Sequence, residues 1–185
     1  MDDLKIIELY FARDEQAITE TDAKFGRLLF KLAYNILGNI EDSKECLSDT
    51  YLSVWELIPP NRPDNLSAYA AKILRNRALK KLEYNSAAKR SSLAVCSLEE
   101  LSECVTGAEG IESELEEKHI ESAINSFLER QSREKRNIFI WRYWFFLPIS
   151  EIAHRCRCSE SRVKSILFQM RKKLRTYLES EGIEV

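Results

Sequence analysis

The sequence predicts an all-α protein of two small helical domains joined by an acidic linker, the second domain carrying a helix-turn-helix. Three observations carry this. Apolar residues recur at helical spacing over several long segments, and no stretch alternates as a half-buried strand does. Glycine and proline are scarce, 5 and 4 in 185 residues, and three of the prolines cluster where a helix must stop. Charge is segregated by segment, although the formal net charge of the whole chain is only −2. Averaged over the chain, that balance would argue against a nucleic-acid partner.

The elements follow in order. Phe25, Leu28, Leu29, Leu32, Ala33 and Ile36 make one apolar stripe, and Gly38-Asn39 ends that helix because both residues tolerate the left-handed conformation. A second helix runs from about Asp42 to Ile58 on the stripe Cys46, Leu47, Thr50, Tyr51, Val54 and Ile58. The loop from Pro59 to Asn65 cannot continue it, since its prolines lack the amide proton. A third helix, about Ser67 to Glu83, turns Tyr69, Ala70, Ile73 and Leu74 inward. These make a first domain, 1–84. Residues 85–110 are small, polar and then acidic, and they are expected to form a linker with at most a short turn at Leu98–Cys104. The second domain, 111–185, has helices at about Ile111–Arg130, Arg133–Phe146, Ile149–Cys156 and Glu160–Leu178. In the last, Val163, Ile166, Leu167, Met170 and Leu174 form the inward stripe.

The segregated charge restores the nucleic-acid reading. Lys72, Arg75, Arg77, Lys80 and Lys81 make the third helix basic, and Lys89 and Arg90 extend it. From Arg133 to Arg175 basic residues far outnumber Glu134, Glu151 and Glu160. Between the two, Glu99, Glu100, Glu103, Glu109, Glu112, Glu114, Glu116, Glu117 and Glu121 stand against Lys118.

The C-terminal unit is the sharpest signal. A short helix, a tight turn at Arg157-Cys158-Ser159 and a second helix with a basic outer face fit the major groove, which admits one helix read by its first turn. Glu160, Ser161, Arg162, Lys164 and Ser165 lie in that first turn outside the apolar stripe. Arg162 suits a bidentate bond to guanine, and Glu160 can accept from cytosine. Arg157, Arg171, Lys172 and Lys173 are placed for phosphates, which set affinity. In the first domain Asp42, Glu45, Asp49 and Glu56 share a side of the second helix, which on spacing alone is what a solvated face also looks like. Tyr69, Lys72, Arg75, Asn76 and Lys80 interleave an aromatic and an amide with cations, which suits a melted strand and equally a solvated helix.

Other classes are disfavoured. His154, Cys156 and Cys158 have the wrong spacing for the usual zinc sites, so no metal is expected. No nucleophile–base pair, Walker loop or dinucleotide glycine pattern is present, so neither catalysis nor a cofactor is expected. The five cysteines, Cys46, Cys96, Cys104, Cys156 and Cys158, are odd in number and are expected to be reduced thiols. The acidic start lacks the features of a signal peptide. No stretch approaches the roughly 20 apolar residues of a membrane span. A cytoplasmic protein is expected.

These residues resemble a known family. EDSKECLSDTYLSVWELI is similar to the second conserved region of sigma-70-type factors, LSAYAAKILRNRALKKL to the −10 segment that follows it, and EKRNIFIWRYWFFLPISEIAHRCRCSESRVKSILFQMRKKLRTYL to the −35-reading domain. The chain lacks room for the extra domains of housekeeping factors, which fits the extracytoplasmic-function group. The resemblance implies a promoter-recognition subunit of RNA polymerase, with core polymerase and promoter DNA as partners, and it leaves room for an anti-sigma factor. Asp42, Glu45, Asp49 and Glu56 would meet the clamp helices of the beta-prime subunit. Asn61, Arg62, Asp64 and Asn65, with Tyr69, Lys72, Arg75, Asn76 and Lys80, would open and hold the −10 strand. The second domain would sit on the beta flap and read the −35 element through Arg157, Ser159, Glu160, Ser161, Arg162, Lys164, Ser165, Arg171 and Lys172. Cys158 and Gln169 depart from the family's usual residues. The competing reading is a helix-turn-helix regulator that binds DNA without polymerase.

Overall fold

The structure is a computed structural model. It describes residues 1–84, 93–102 and 114–183, with side chains of the last segment from 118 onward. The described residues are helical, and no strand occurs among them. The chain divides into two compact units, Met1–Val95 and Cys96–Val185.

The first unit holds α1 (Asp3–Phe11), α2 (Gln16–Leu37), α3 (Ile40–Leu57) and α4 (Leu66–Tyr84). Helices α2, α3 and α4 pack on one another, and α1 packs on α2. The α1 helix was not among the expected elements, yet Ile6, Ile7 and Tyr10 are fully buried. Removing each such aliphatic side chain from water is worth about 1.5–3 kcal/mol, so α1 is part of the core. The Tyr10 hydroxyl shares a 2.9 Å hydrogen bond with Thr21 Oγ1, and Thr21 donates to the Ala17 carbonyl at 2.7 Å. This satisfies two buried hydroxyls where α1 meets α2.

Helix α2 starts well before the Phe25 stripe and ends at Gly38, whose φ of 68° is the left-handed cap expected there. Asn39 then caps α3, its side chain accepting from the Asp42 amide. At Gly26 an added Cβ would meet the Asp22 carboxylate at 2.3 Å and the Tyr51 hydroxyl at 3.2 Å. Glycine lets Tyr51 of α3 reach Asp22 of α2 and donate to it at 2.6 Å.

Helix α5 (Leu93–Ser102) crosses the boundary between the units. A linker without sustained structure was expected here, and α5 is longer than the short turn foreseen at Leu98–Cys104. The rest of that segment, with Lys89, Arg90, Cys104, Glu103, Glu109 and Glu112, lies outside the described residues, as do the side chains of Glu114, Glu116 and Glu117.

The second unit continues with α6 (Glu114–Glu129), α7 (Arg133–Tyr143), α8 (Ile149–Cys156) and α9 (Glu160–Ser180). Its core is built from Phe127, Ile138, Phe139, Tyr143, Leu147, Ile152, Val163, Leu167, Met170, Leu174 and Leu178. Helix α7 stops earlier than expected, at Tyr143; beyond it Phe146 takes a left-handed φ of 52° and is fully buried. Pro148 then precedes α8, a position where its missing amide proton costs nothing.

Candidate nucleic-acid interface

In α4 the sequence divides its charge between two stripes. Arg77 and Lys81 face α3: Lys81 Nζ lies 3.0 Å from Asp42 and 2.9 Å from Glu45, and Arg77 lies 3.5 Å from Asp49. The hydrogen bond that Lys81 donates to Glu45, together with its bond to Asp42, pushes the Lys81 ammonium above its ordinary value. Three of the four carboxylates expected to form a free acidic face therefore bridge α3 to α4. Glu45 and Asp49 remain more than half exposed, whereas Asp42 is largely covered. Glu56 is exposed.

The second stripe of α4 is Tyr69, Lys72, Asn76 and Lys80, spaced i, i+3, i+7 and i+11, so all four lie on one side of the helix. Lys72, Asn76 and Lys80 are exposed and Tyr69 is half-buried. Arg75 departs from the expected set: it is half-buried, and burial pushes its guanidinium below the ordinary value.

The loop before α4 is tied down by its own side chains. Asn65 Oδ1 accepts from the Ala68 amide at 2.8 Å and so caps α4. Asn61 donates to the Leu57 carbonyl at 3.1 Å. Arg62 forms an ion pair with Glu8 and lies 5.0 Å from the Phe11 ring centroid. Of the four loop residues expected at a strand-holding pocket, Asn65 holds the helix start and Arg62 is anchored to α1. Asp64 is exposed.

In the second unit α8 ends at Arg157, which is left-handed with φ 51° and ψ 45°. Ser159 is the N-cap of α9, its hydroxyl accepting from the Arg162 amide at 3.3 Å. The turn is thus closed by backbone geometry, and Ser159 has a structural duty whatever else it touches. Arg157, Ser159, Glu160, Ser161, Arg162, Lys164 and Ser165 are all exposed, while Val163 and Leu167 anchor the helix beneath them. Arg162 is held 3.1 Å from Glu134 at the start of α7. A groove beside it is lined by Lys135, Arg162, Ser165, Gln169 and Lys173. Lys172 is exposed and lies 5.2 Å from the Phe168 ring.

Arg171, expected among the DNA-facing residues, is largely covered. Its side chain is only 13% exposed, 3.6 Å from Glu100, and it donates to the Tyr143 hydroxyl at 2.8 Å. Glu100 was expected in a free acidic tether, but it is bonded to Arg142, a residue with 4% exposure. Arg142 also donates to the Leu147 carbonyl at 3.2 Å. Burial pushes the Tyr143 hydroxyl up to about 12, with Arg171 acting in the opposite direction.

Among the described residues no group of histidine, cysteine and carboxylate could hold a metal, and no helix is long and apolar enough to cross a membrane. What the geometry offers is two separate exposed basic elements: a helix stripe after a pinned proline loop, and the first turn of a helix-turn-helix. Two family models match in that order, Sigma-70 region 2 over residues 23–87 and Sigma-70, region 4 over residues 128–176. No curated protein matches the chain. The two regions together cover more than half of the sequence, and the chain belongs to the sigma-70 family. It is a sigma factor, a non-enzymatic subunit that serves promoter recognition by RNA polymerase.

Proposed function

We propose that this sigma factor is of the extracytoplasmic-function type, acts in the cytoplasm on core RNA polymerase, and recognises −35 and −10 elements with its second and first units respectively. The observation that carries this reading is the pair of exposed basic elements, one in each family region: Tyr69, Lys72, Asn76 and Lys80 on α4, and Glu160, Ser161, Arg162, Lys164 and Ser165 on α9. Cations spaced along one helix side can follow a strand backbone while Tyr69 and Asn76 meet its bases. A first turn raised clear of its own helix bundle can enter the major groove. Asn61 and Asp64 would contribute to the −10 contacts. Arg157 and Lys172 would contact phosphates beside the −35 bases.

Glu45, Asp49 and Glu56 are exposed carboxylates on α3, and they would meet the beta-prime clamp helices, with the second unit on the beta flap. Transcription with core polymerase on genomic fragments, followed by mapping of start sites, tests the whole reading. Defined start sites that share two spaced elements are expected. Duplex binding without any gain in core-dependent transcription would instead establish a regulator that works without polymerase.

A further inference from the structure

The helix-turn-helix holds one pair of side chains that its DNA-reading role leaves unused. Cys156 is the last residue of α8, Cys158 lies in the turn, and Arg157 between them is left-handed. A left-handed residue folds its two neighbours together as tightly as a helical one. Two Cα–Cα links of about 3.8 Å, bent at that angle, leave about 5.5 Å between the outer Cα atoms. Disulfides favour a Cα separation of about 5.5–6 Å. Both cysteines are half-buried, and both pack against the same core that Ile152, Val163 and Leu167 belong to, so both side chains leave the backbone toward one side. Two thiols with suitable backbone spacing and a shared direction are a redox pair in geometric terms.

We propose that Cys156 and Cys158 are a thiol-oxidation site: a low-molecular-weight disulfide joins them, and the closed ring turns off DNA reading by α9. The second half rests on the reading of α9 as the −35 reader. With oxidised glutathione, the Cys158 thiolate attacks the glutathione disulfide and one glutathione leaves as its thiolate. Cys156 then gives up its proton, attacks the Cys158 sulfur of the mixed disulfide and expels the second glutathione. Two protein thiols are oxidised, one glutathione disulfide is reduced to two thiols, and the two protons pass to the departing sulfurs. Burial, with Cys158 next among the causes, pushes the Cys156 thiol upward. That disfavours Cys156 in the first, intermolecular attack, since the thiolate is the attacking form, and leaves it the second, intramolecular one.

The effect on DNA follows from what the turn supports. The Cys158 amide donates to the Ala153 carbonyl at 3.0 Å, and the Arg157 amide to that of His154 at 3.2 Å. The next residue, Ser159, caps the reading helix. Joining the sulfurs turns both side chains out of their present packing on the core and locks the turn that carries the cap on which the placement of Glu160–Ser165 depends.

The test uses the full chain, treated with oxidised glutathione and then digested after basic residues. Cleavage after Arg155, Arg157 and Arg162 leaves the peptides Cys156–Arg157 and Cys158–Arg162, joined only if the disulfide has formed. The joined pair is expected, and it should disappear on reduction. Single glutathione adducts with no joined pair would overturn the site. DNA binding is measured in parallel on a promoter duplex taken from the mapped start sites, as a bare duplex and with core polymerase. Oxidation should weaken bare-duplex binding about tenfold, with recovery on reduction, while Cys158→Ser keeps its affinity under the same oxidant. A joined pair with unchanged affinity would overturn the switch. Failure of the reduced protein to bind any mapped promoter would count against the −35 reading, which the peptide result does not touch.

Discussion

Glu100 grips the Arg142 guanidinium with both carboxylate oxygens, Oε2 accepting from Nε at 3.2 Å and Oε1 from Nη2. The arginine is buried in the second unit, and the glutamate reaches it from α5, outside the segment matched by the region 4 family model. A buried guanidinium with one partner removed is an uncompensated charge. Glu100→Ala should therefore destabilise the second unit by about 2–4 kcal/mol, read as a lower urea midpoint. Glu100→Leu with Arg142→Met removes both charges together and should recover most of that loss. An unchanged midpoint for Glu100→Ala would show that the pair contributes nothing.

The same contact divides the acidic segment by role. Glu99 is exposed, whereas Glu100 is committed to Arg142 and Arg171. Glu99→Gln should leave the urea midpoint within about 0.5 kcal/mol of the parent. Any change it makes in core affinity or in the ratio of abortive to full-length transcripts would then be an effect of linker charge. Glu100→Gln cannot be interpreted that way, because it also disturbs the fold.

The pairing of α3 with α4 changes how polymerase binding should be probed. Asp42, Glu45 and Asp49 each lie against Lys81 or Arg77. Exposed pairs of this kind are worth about 0–1 kcal/mol each, but three simultaneous reversals to lysine would set like charges against α4. Glu56→Lys should weaken core binding with the thermal midpoint unchanged, while Asp42→Lys should lower both. Titration of labelled sigma factor with core polymerase, beside thermal melting, separates the two. Parent-level core affinity for Glu56→Lys would remove that carboxylate from the interface.

The legible parts of this protein were those in which a long periodic pattern repeats. The stripe Val163, Ile166, Leu167, Met170 and Leu174 marks α9, and all but half-buried Ile166 are buried. Gly38 ends α2 for the reason its residue type suggests. Helix α1 escaped notice because its buried residues Ile6, Ile7 and Tyr10 span little more than one turn, too short for a periodic signal; Asp2 ahead of them was the available cue. Cross-helix partners were not legible at all. Nothing in the spacing of Asp42 tells that Lys81 will lie beside it, or that Glu100 will find Arg142 at a sequence separation of 42. Charge patterns show which residues are polar, and only the packing of helices decides which of them face one another.

Cys46 gives the first unit an alkaline weakness. Its thiol is buried against α4, 3.8 Å from the Leu74 carbonyl. Burial, with Asp49 adding to it, pushes the thiol up from 9.0 to about 11. The folded state therefore keeps a proton that the unfolded chain gives up. The resulting stability is fully present below pH 9.0 and is lost as pH rises toward about 11. The loss amounts to roughly 2–3 kcal/mol. Measured under reducing conditions, the urea midpoint of the parent should fall more steeply across that window than the midpoint of Cys46→Ala. Parallel curves would show that the thiol ionises alike in both states.

Arg162 carries the most specific prediction, because the free protein already holds it. Its guanidinium lies 3.1 Å from Glu134, and both side chains are about half exposed, so the pair itself adds little to stability. Its value lies in orientation: it keeps the guanidinium at the start of α9, beside the groove shared with Lys135 and Lys173. Reading a guanine requires Arg162 to leave Glu134 or to share it. Arg162→Ala should cost roughly 1–3 kcal/mol on the correct promoter and relax discrimination at one base pair. Glu134→Gln removes a negative charge from the DNA-facing side, so binding to random duplex should tighten more than binding to the promoter, and the specificity ratio should fall. Lys172→Ala should weaken both kinds of duplex alike and reduce the salt dependence, as loss of a phosphate contact does. Competition titrations with promoter and scrambled duplexes at two salt concentrations resolve all three. Equal losses on both duplexes for Arg162→Ala would exclude it as a base reader and leave it a phosphate contact.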